Sequence, residues 1–198
     1  MRSFWRGAVV AAFVATSSPI VSTVASAQFG FERGEKAPIW STLSVSRGDL
    51  QVNCATCREV EQSSWSADVA IGGWLNDRTT LGGEMGMWRR GATDATQRLM
   101  LFGIASQMYP FARAAAFVKL GAGFMGYRSS DGEHALSARS LAMQAGFGYD
   151  VHVQNYVVVP QIGLVHGFNN GMYLDDSKVT TSSQVKLIRF GLGVGVGR

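Results

Sequence analysis

The stretch FGLGVGVG, residues 190–197, places glycine at every second position from Gly191, with Leu192, Val194 and Val196 between. Side chains repeat every two residues on a strand and every 3.6 on a helix. The spacing therefore describes a strand with one bulky apolar face and one face stripped of side chains. A glycine-rich phosphate loop needs a helix after it, and only Arg198 follows, so no nucleotide site is expected.

The same split recurs upstream. In 140–149, Leu141, Met143, Ala145, Phe147 and Tyr149 share one parity, while Ser140, Gln144, Gly146 and Gly148 share the other. Segments 65–75, 80–90, 114–127 and 156–169 read the same way. Segments 39–50 and 98–109 are less regular, because Leu99 and Leu101 interrupt the small, polar parity of the latter. With the closing segment these make eight strands, each long enough to cross a bilayer at about 9–11 tilted residues. No run after residue 27 is long and apolar enough for a membrane helix.

Links between strands alternate in length. Short links fall at 76–79, 110–113 and 152–155, and longer polar ones at 52–64, 91–97, 128–137 and 170–183. Short turns on one end and longer loops on the other is the plan of an outer-membrane barrel. A soluble eight-stranded barrel shows the same alternation with its faces reversed, and then its outer face must be charged. Here the small parity is mostly Gly, Ala and Ser, and charged residues are only 16% of the chain. That face suits a narrow lumen, and the bulky face suits lipid. Aromatics near strand ends suggest two interfacial girdles: Trp40, Trp74, Tyr109, Tyr149 and Tyr156 on the turn side, and Trp65, Trp88, Tyr127 and Phe168 on the loop side.

The first 27 residues read as a cleavable secretory signal peptide. Arg2 and Arg6 precede an apolar run, and Ala25-Ser26-Ala27 is a small-x-small cleavage site. Residues 28–38 would form a periplasmic N-terminal segment and 39–198 the barrel domain. Removing Arg2 and Arg6 lowers the formal charge from +4 to +2, so the basic balance carries no nucleic-acid inference.

On the leader, the strand pattern, AGFGYDV (145–151) and the closing LIRFGLGVGVG, the chain resembles the small eight-stranded outer-membrane β-barrel proteins of Gram-negative bacteria. The resemblance covers nearly all of the chain after residue 27. It implies an all-β, antiparallel up-and-down transmembrane barrel, insertion by the outer-membrane assembly machinery, and contact with the lipid bilayer and lipopolysaccharide. Assembly signals of that family commonly end on an aromatic residue, whereas Arg198 stands here. Roles within the family range from structural barrels to adhesion, solute uptake and lipid-modifying enzymes.

Several groups of residues bear on function. Cys54 and Cys57 fall in the first outer loop and are expected to form a loop disulfide, with metal or redox chemistry the lesser reading. Asp68, Glu84, Lys119 and Arg189 are the mid-strand charges of the small parity. They are expected to pair inside the lumen as Glu84–Lys119 and Asp68–Arg189, extended by Gln107, Gln144 and Gln161. His134 and His152 fall in links, and His166 near the outer rim on the lipid-facing parity. A rim histidine with a serine would suit a lipid-modifying enzyme, but no partner stands beside His166. The expectation is a monomeric, non-enzymatic barrel with a filled lumen, no cofactor and no metal. A narrow channel or carrier for small or apolar solutes is the alternative.

Overall fold

A computed structural model describes residues 39–54, 60–91, 95–111, 115–168, 171–175, 177–180 and 183–197. All belong to the compact unit Lys36–Arg198. The leader, residues 28–38 and Cys57 lie outside the described residues, and with them the signal-peptide and disulfide expectations.

The strands are β1 (Ile39–Cys54), β2 (Val60–Asn76), β3 (Thr79–Gly91), β4 (Thr96–Met108), β5 (Ala116–Ser130), β6 (Ala135–Tyr149), β7 (Val151–Val153), β8 (Tyr156–Phe168), β9 (Met172–Leu174), β10 (Ser177–Thr180) and β11 (Ser183–Val196). Eight of them, β1 to β6 with β8 and β11, close into one antiparallel barrel. The seam is the glycine-rich strand itself. β11 pairs with β1 from Ser41↔Val196 to Cys54↔Ser183, and with β8 on its other side. Closure leaves no long strand with an open edge.

The strands run further at the loop end than their sequence pattern indicates. β1 continues to Cys54 and β2 begins at Val60, so most of the expected 52–64 loop is a paired hairpin stem. The expected 170–183 loop contains the β9–β10 hairpin, whose first strand continues the sheet beside β6 through Leu136↔Leu174 and Ala138↔Met172. Each added rung satisfies backbone donors and acceptors, so an antiparallel ladder persists past the apolar region. At the turn end the β6–β8 ladder stops at Gly148↔Gln161, and the β7–β8 ladder starts at Val151↔Val158. Pro160, which has no N–H to donate, occupies the gap.

Parity assigns the faces. Leu43, Ile71, Met85, Phe102, Phe124, Leu141, Phe190 and Leu192 all point outward and are exposed, Phe102 and Phe124 each at 67%. The interior is stacked in three layers. At the loop end Leu50, Trp88, Leu99, Met125, Val165 and Leu187 form a buried apolar cluster. Polar and charged side chains fill the middle, among them Ser46, Ser66, Asp68, Glu84 and Arg189. At the turn end Tyr109, Phe117, Val157 and Val159 pack together with Trp74.

This arrangement corrects the aromatic girdles. Trp65, Tyr149, Tyr156 and Phe168 do face outward. Trp40, Trp88, Tyr109 and Tyr127 are buried inside the barrel, and Trp74 packs inside against the turn-end cluster. Their parity places them there: Trp88 shares the face of Glu84, and Tyr127 that of Lys119. An aromatic ring buried in the bore removes more apolar surface from water than one at an interface, and Trp88 also donates Nε1–H to the Gly48 carbonyl at 2.9 Å. Leu99 and Leu101, the apparent faults in the β4 alternation, are members of the loop-end cluster.

Candidate functional site: the barrel interior

The four mid-strand charges meet in the middle layer. Lys119 Nζ pairs with Glu84 Oε2, and Arg189 Nη1 with Asp68 Oδ1. Arg189 Nη2 also donates to Glu84 Oε1 at 2.8 Å. The two expected pairs are thus one chain of alternating charge, Asp68–Arg189–Glu84–Lys119. Gln144 joins it, donating to Glu84 Oε2 at 3.3 Å and accepting from Arg189 at 3.4 Å. Gln107 is buried on the same inner face, and Gln161 lines a cavity beside Lys119, Gln144 and Arg189. That cavity measures about 10 Å³, room for about one water molecule. The chain balances its charge internally, as burial requires.

Glycine placement follows from the size of these side chains. Asp68 lies opposite Gly86, Lys119 opposite Gly146, and Gln144 opposite Gly121. Arg189 has Gly48 on one side and Gly163 on the other. The aromatics obey the same rule, with Trp40 opposite Gly72 and Phe117 opposite Gly148. An eight-stranded bore is just wide enough for side chains to fill, so a large group needs a partner that occupies no space. A Cβ on Gly121 would stand 2.6 Å from Gln144 Nε2. The glycines of β11 answer Ser44, Ser46 and Gln161 in the same way: Gly191 lies between Ser46 and Gln161, and Gly193 opposite Ser44.

A second polar knot closes the turn end. Tyr109 Oη donates to Asp150 Oδ2 at 2.7 Å, and both residues are buried. Trp74 stacks on Tyr109 and donates Nε1–H to the Gly197 carbonyl at 3.3 Å, tying β2 to the seam strand.

At the loop end a third cluster links two connections. Asp131 Oδ1 accepts from the N–H groups of Glu133 and His134, shaping the 131–134 turn, in which Gly132 has φ 101°. Asp175 Oδ1 accepts from Ala135 N–H at 2.8 Å, and its Oδ2 meets His134 Nδ1 at 2.6 Å. Hydrogen bonding to Asp175, then its charge, raises the His134 pKa above the ordinary histidine value. The Ala135 N–H, then His134, holds Asp175 below the usual carboxylate range.

His166 lies on the outer face with its ring edge-on to Phe168, centroids 4.8 Å apart. Its rung neighbours are Met143 and Lys186, neither of which supplies a hydroxyl nucleophile or an orienting carboxylate. His152 lies in β7, on the turn side. Among the described residues no three His, Cys, Asp or Glu side chains lie together as metal ligands.

A closed eight-stranded antiparallel barrel with apolar side chains outside is the fold of the small outer-membrane β-barrel proteins. Several solved structures share it with this chain. Neisserial surface protein A has a TM-score of 0.54 at 12% identity, covering 83% of this chain and 99% of that one. Ail, the attachment invasion locus protein of Yersinia pestis, has a TM-score of 0.53 at 15% identity, covering 81% and 99%. Ail was also solved in complex with the heparin analogue sucrose octasulfate, and that structure scores 0.53 as well. No family model and no curated protein sequence matches the chain.

Proposed function

We propose that this protein is an integral outer-membrane barrel that carries out no chemistry in its lumen and acts as a structural or surface-interaction protein. The observation that carries this reading is the three-layer filling of the bore. The ionic chain is enclosed above by the Trp88–Leu99–Leu187 cluster and below by the Phe117–Val157–Val159 cluster. Acid–base catalysis needs a substrate within reach of the carboxylates, and conduction needs a continuous wet path. Neither fits a middle layer in which the cavity beside Lys119 and Arg189 measures about 10 Å³.

In this reading the short turns face the periplasm and the hairpin stems stand outside. The protein works as a monomer placed by the outer-membrane assembly machinery. Its partners are the bilayer, lipopolysaccharide and whatever the outer stems meet. Likeness to Ail, an attachment protein by its name, supports a surface-contact role.

Planar-bilayer recording on the purified, refolded chain tests the closed bore. The expected trace is flat at high protein load, with insertion verified by heat-modifiable migration. Discrete, reproducible openings would establish the narrow-channel alternative instead.

A further inference from the structure

Strand register brings together arginines that are far apart in sequence. On the outer face Arg47 pairs across to Trp65, Trp65 to Arg89, Arg89 to Arg98, and Arg98 to Arg128. Arg139 stands two residues nearer the barrel middle, opposite Gly126. All five arginines are exposed. Neighbouring strands are about 4.8 Å apart, so Arg89, Arg98 and Arg128 fall within roughly 10 Å of one another along the rung. Like charges directly opposite on a sheet are destabilising. The ion pairs among the described residues use Lys119, His134 and Arg189, and none uses these arginines.

The row sits on the edge of the apolar belt. Two residues toward the middle of the barrel from Arg89 is Met87; from Arg98, Met100; from Arg139, Leu141, all exposed. Gly126 lies between Met100 and Arg139, and a Cβ there would meet nothing within 4 Å. It leaves a notch flanked by Arg98, Arg128 and Arg139, part of a hollow of about 640 Å³. Asp175 borders the hollow, with both carboxylate oxygens already engaged by Ala135 and His134.

We propose that Arg98, Arg128 and Arg139 form a binding site for the phosphate group of a phosphorylated lipid in the outer leaflet, with Arg89 extending it. Guanidinium groups match phosphate oxygens in bidentate fashion. The lipid, rather than a soluble anion, is the occupant because the charge stands directly above Met100, Phe102 and Leu141, which receive acyl chains while the notch receives the headgroup. This inference rests on the membrane-embedded reading above.

The test reconstitutes the full chain into phosphatidylcholine vesicles containing a minor fraction of bisphosphorylated lipid A. Lipid retained after mild detergent release is then counted by native mass spectrometry. The comparison is wild type against R98Q/R128Q/R139Q, with R78Q, on the β2–β3 turn, as a charge control. An arginine near an anionic lipid surface contributes about 1 kcal/mol, or roughly fivefold, so the triple variant should retain lipid A on the order of a hundredfold more weakly. R78Q should match wild type, and dephosphorylated lipid A should be retained by neither. Equal retention by wild type and the triple variant overturns the proposal. So does protection of the wild type by inorganic phosphate or by sucrose octasulfate as effective as that by lipid A, since either marks a site for soluble polyanions. Vesicle flotation and heat-modifiability are scored on the same samples. Failure of the wild type to insert removes the membrane reading itself, whereas insertion without lipid A preference removes only the site.

Discussion

Arg189 and Glu84 are the inner links of the Asp68–Arg189–Glu84–Lys119 chain, and Asp68 and Lys119 are its ends. Replacing an inner link strands an end. Arg189→Met keeps the stem volume but leaves Asp68 buried without a cation, and Asp68 Oδ2 already lacks a protein hydrogen-bond partner among the described residues. Breaking a buried pair by removing one partner costs about 3–5 kcal/mol. Replacing an end strands nothing. After Lys119→Met, Glu84 keeps Arg189 at 2.8 Å and Gln144 at 3.3 Å, so the cost is that of one charge-assisted hydrogen bond, roughly 1.5–3 kcal/mol. The two variants therefore differ in stability although each removes one positive charge. Charge count alone gives them the same cost; connectivity does not.

The decisive measurement is rescue. Asp68→Asn added to Arg189→Met leaves Glu84 and Lys119 as a complete pair, so the double variant should be more stable than Arg189→Met alone. Lys119→Met added to Glu84→Gln should rescue in the same way by leaving Asp68 with Arg189. Urea unfolding in phospholipid vesicles reads these differences, followed by the fluorescence of buried Trp40 and Trp88 and by heat-modifiable migration. Equal costs for Arg189→Met and Lys119→Met, or no rescue by Asp68→Asn, would refute the linear connectivity.

Two further outcomes follow from the packing. Gly191→Ala would push a Cβ against the Val45 carbonyl and the Ser46 backbone, which cannot swing aside, and should cost about 1–3 kcal/mol as an overpacked site in the same unfolding assay. Gly83→Ala, on the outer face with nothing within 4 Å of the new Cβ, should change stability by less than about 1 kcal/mol, on the favourable side. The His134–Asp175 contact should order the loop end over a bounded pH range. Asp175 has a lowered folded pKa, so its contribution is full above the ordinary carboxylate value near 3.8 and is lost as pH falls through the folded one. His134 has a raised folded pKa, so its contribution is full below the ordinary value near 6.5 and is lost as pH rises through the folded one. Amide exchange of residues 133–135 should therefore be slowest between about pH 4 and 6.5, after correction for intrinsic rates, and His134→Ala should abolish that minimum.

The barrel and the lumen charges are legible in the sequence because period-two patterning reports a face directly. Leu99 and Leu101 interrupt the polar character of the inner parity, and the structure explains them as members of the loop-end cluster. The girdle expectation holds at Trp65, Tyr149, Tyr156 and Phe168 but not at Trp40, Trp88 and Tyr127, because position near a strand end does not fix a face, whereas parity turns these three inward. Parity gives a face but not a height. Joining the two ion pairs through Arg189 depends on strand stagger, which the sequence does not express. The arginine row is hidden for the same reason: Arg47, Arg89, Arg98, Arg128 and Arg139 come together only through a continuous register across β1 to β6.

The large-opposite-glycine pairing explains why the seam strand can be so poor in side chains. A bore this narrow is just filled by side chains, and each large group claims the space of the residue opposite it on the neighbouring strand. Arg189 occupies the level of β11 that lies between Gly48 and Gly163, and beyond it Gly191 and Gly193 give way to Gln161 and Val159 from β8. The glycines are thus the complement of the filling rather than a weakness in the strand, and a Cβ at Gly191 is excluded by backbone atoms of β1. Filling the bore in this way leaves little interior freedom for a ligand to exploit. On the proposed surface-interaction reading, differences in binding are written on the outer face and the hairpin stems, where the arginine row and the His134–Asp175 contact stand.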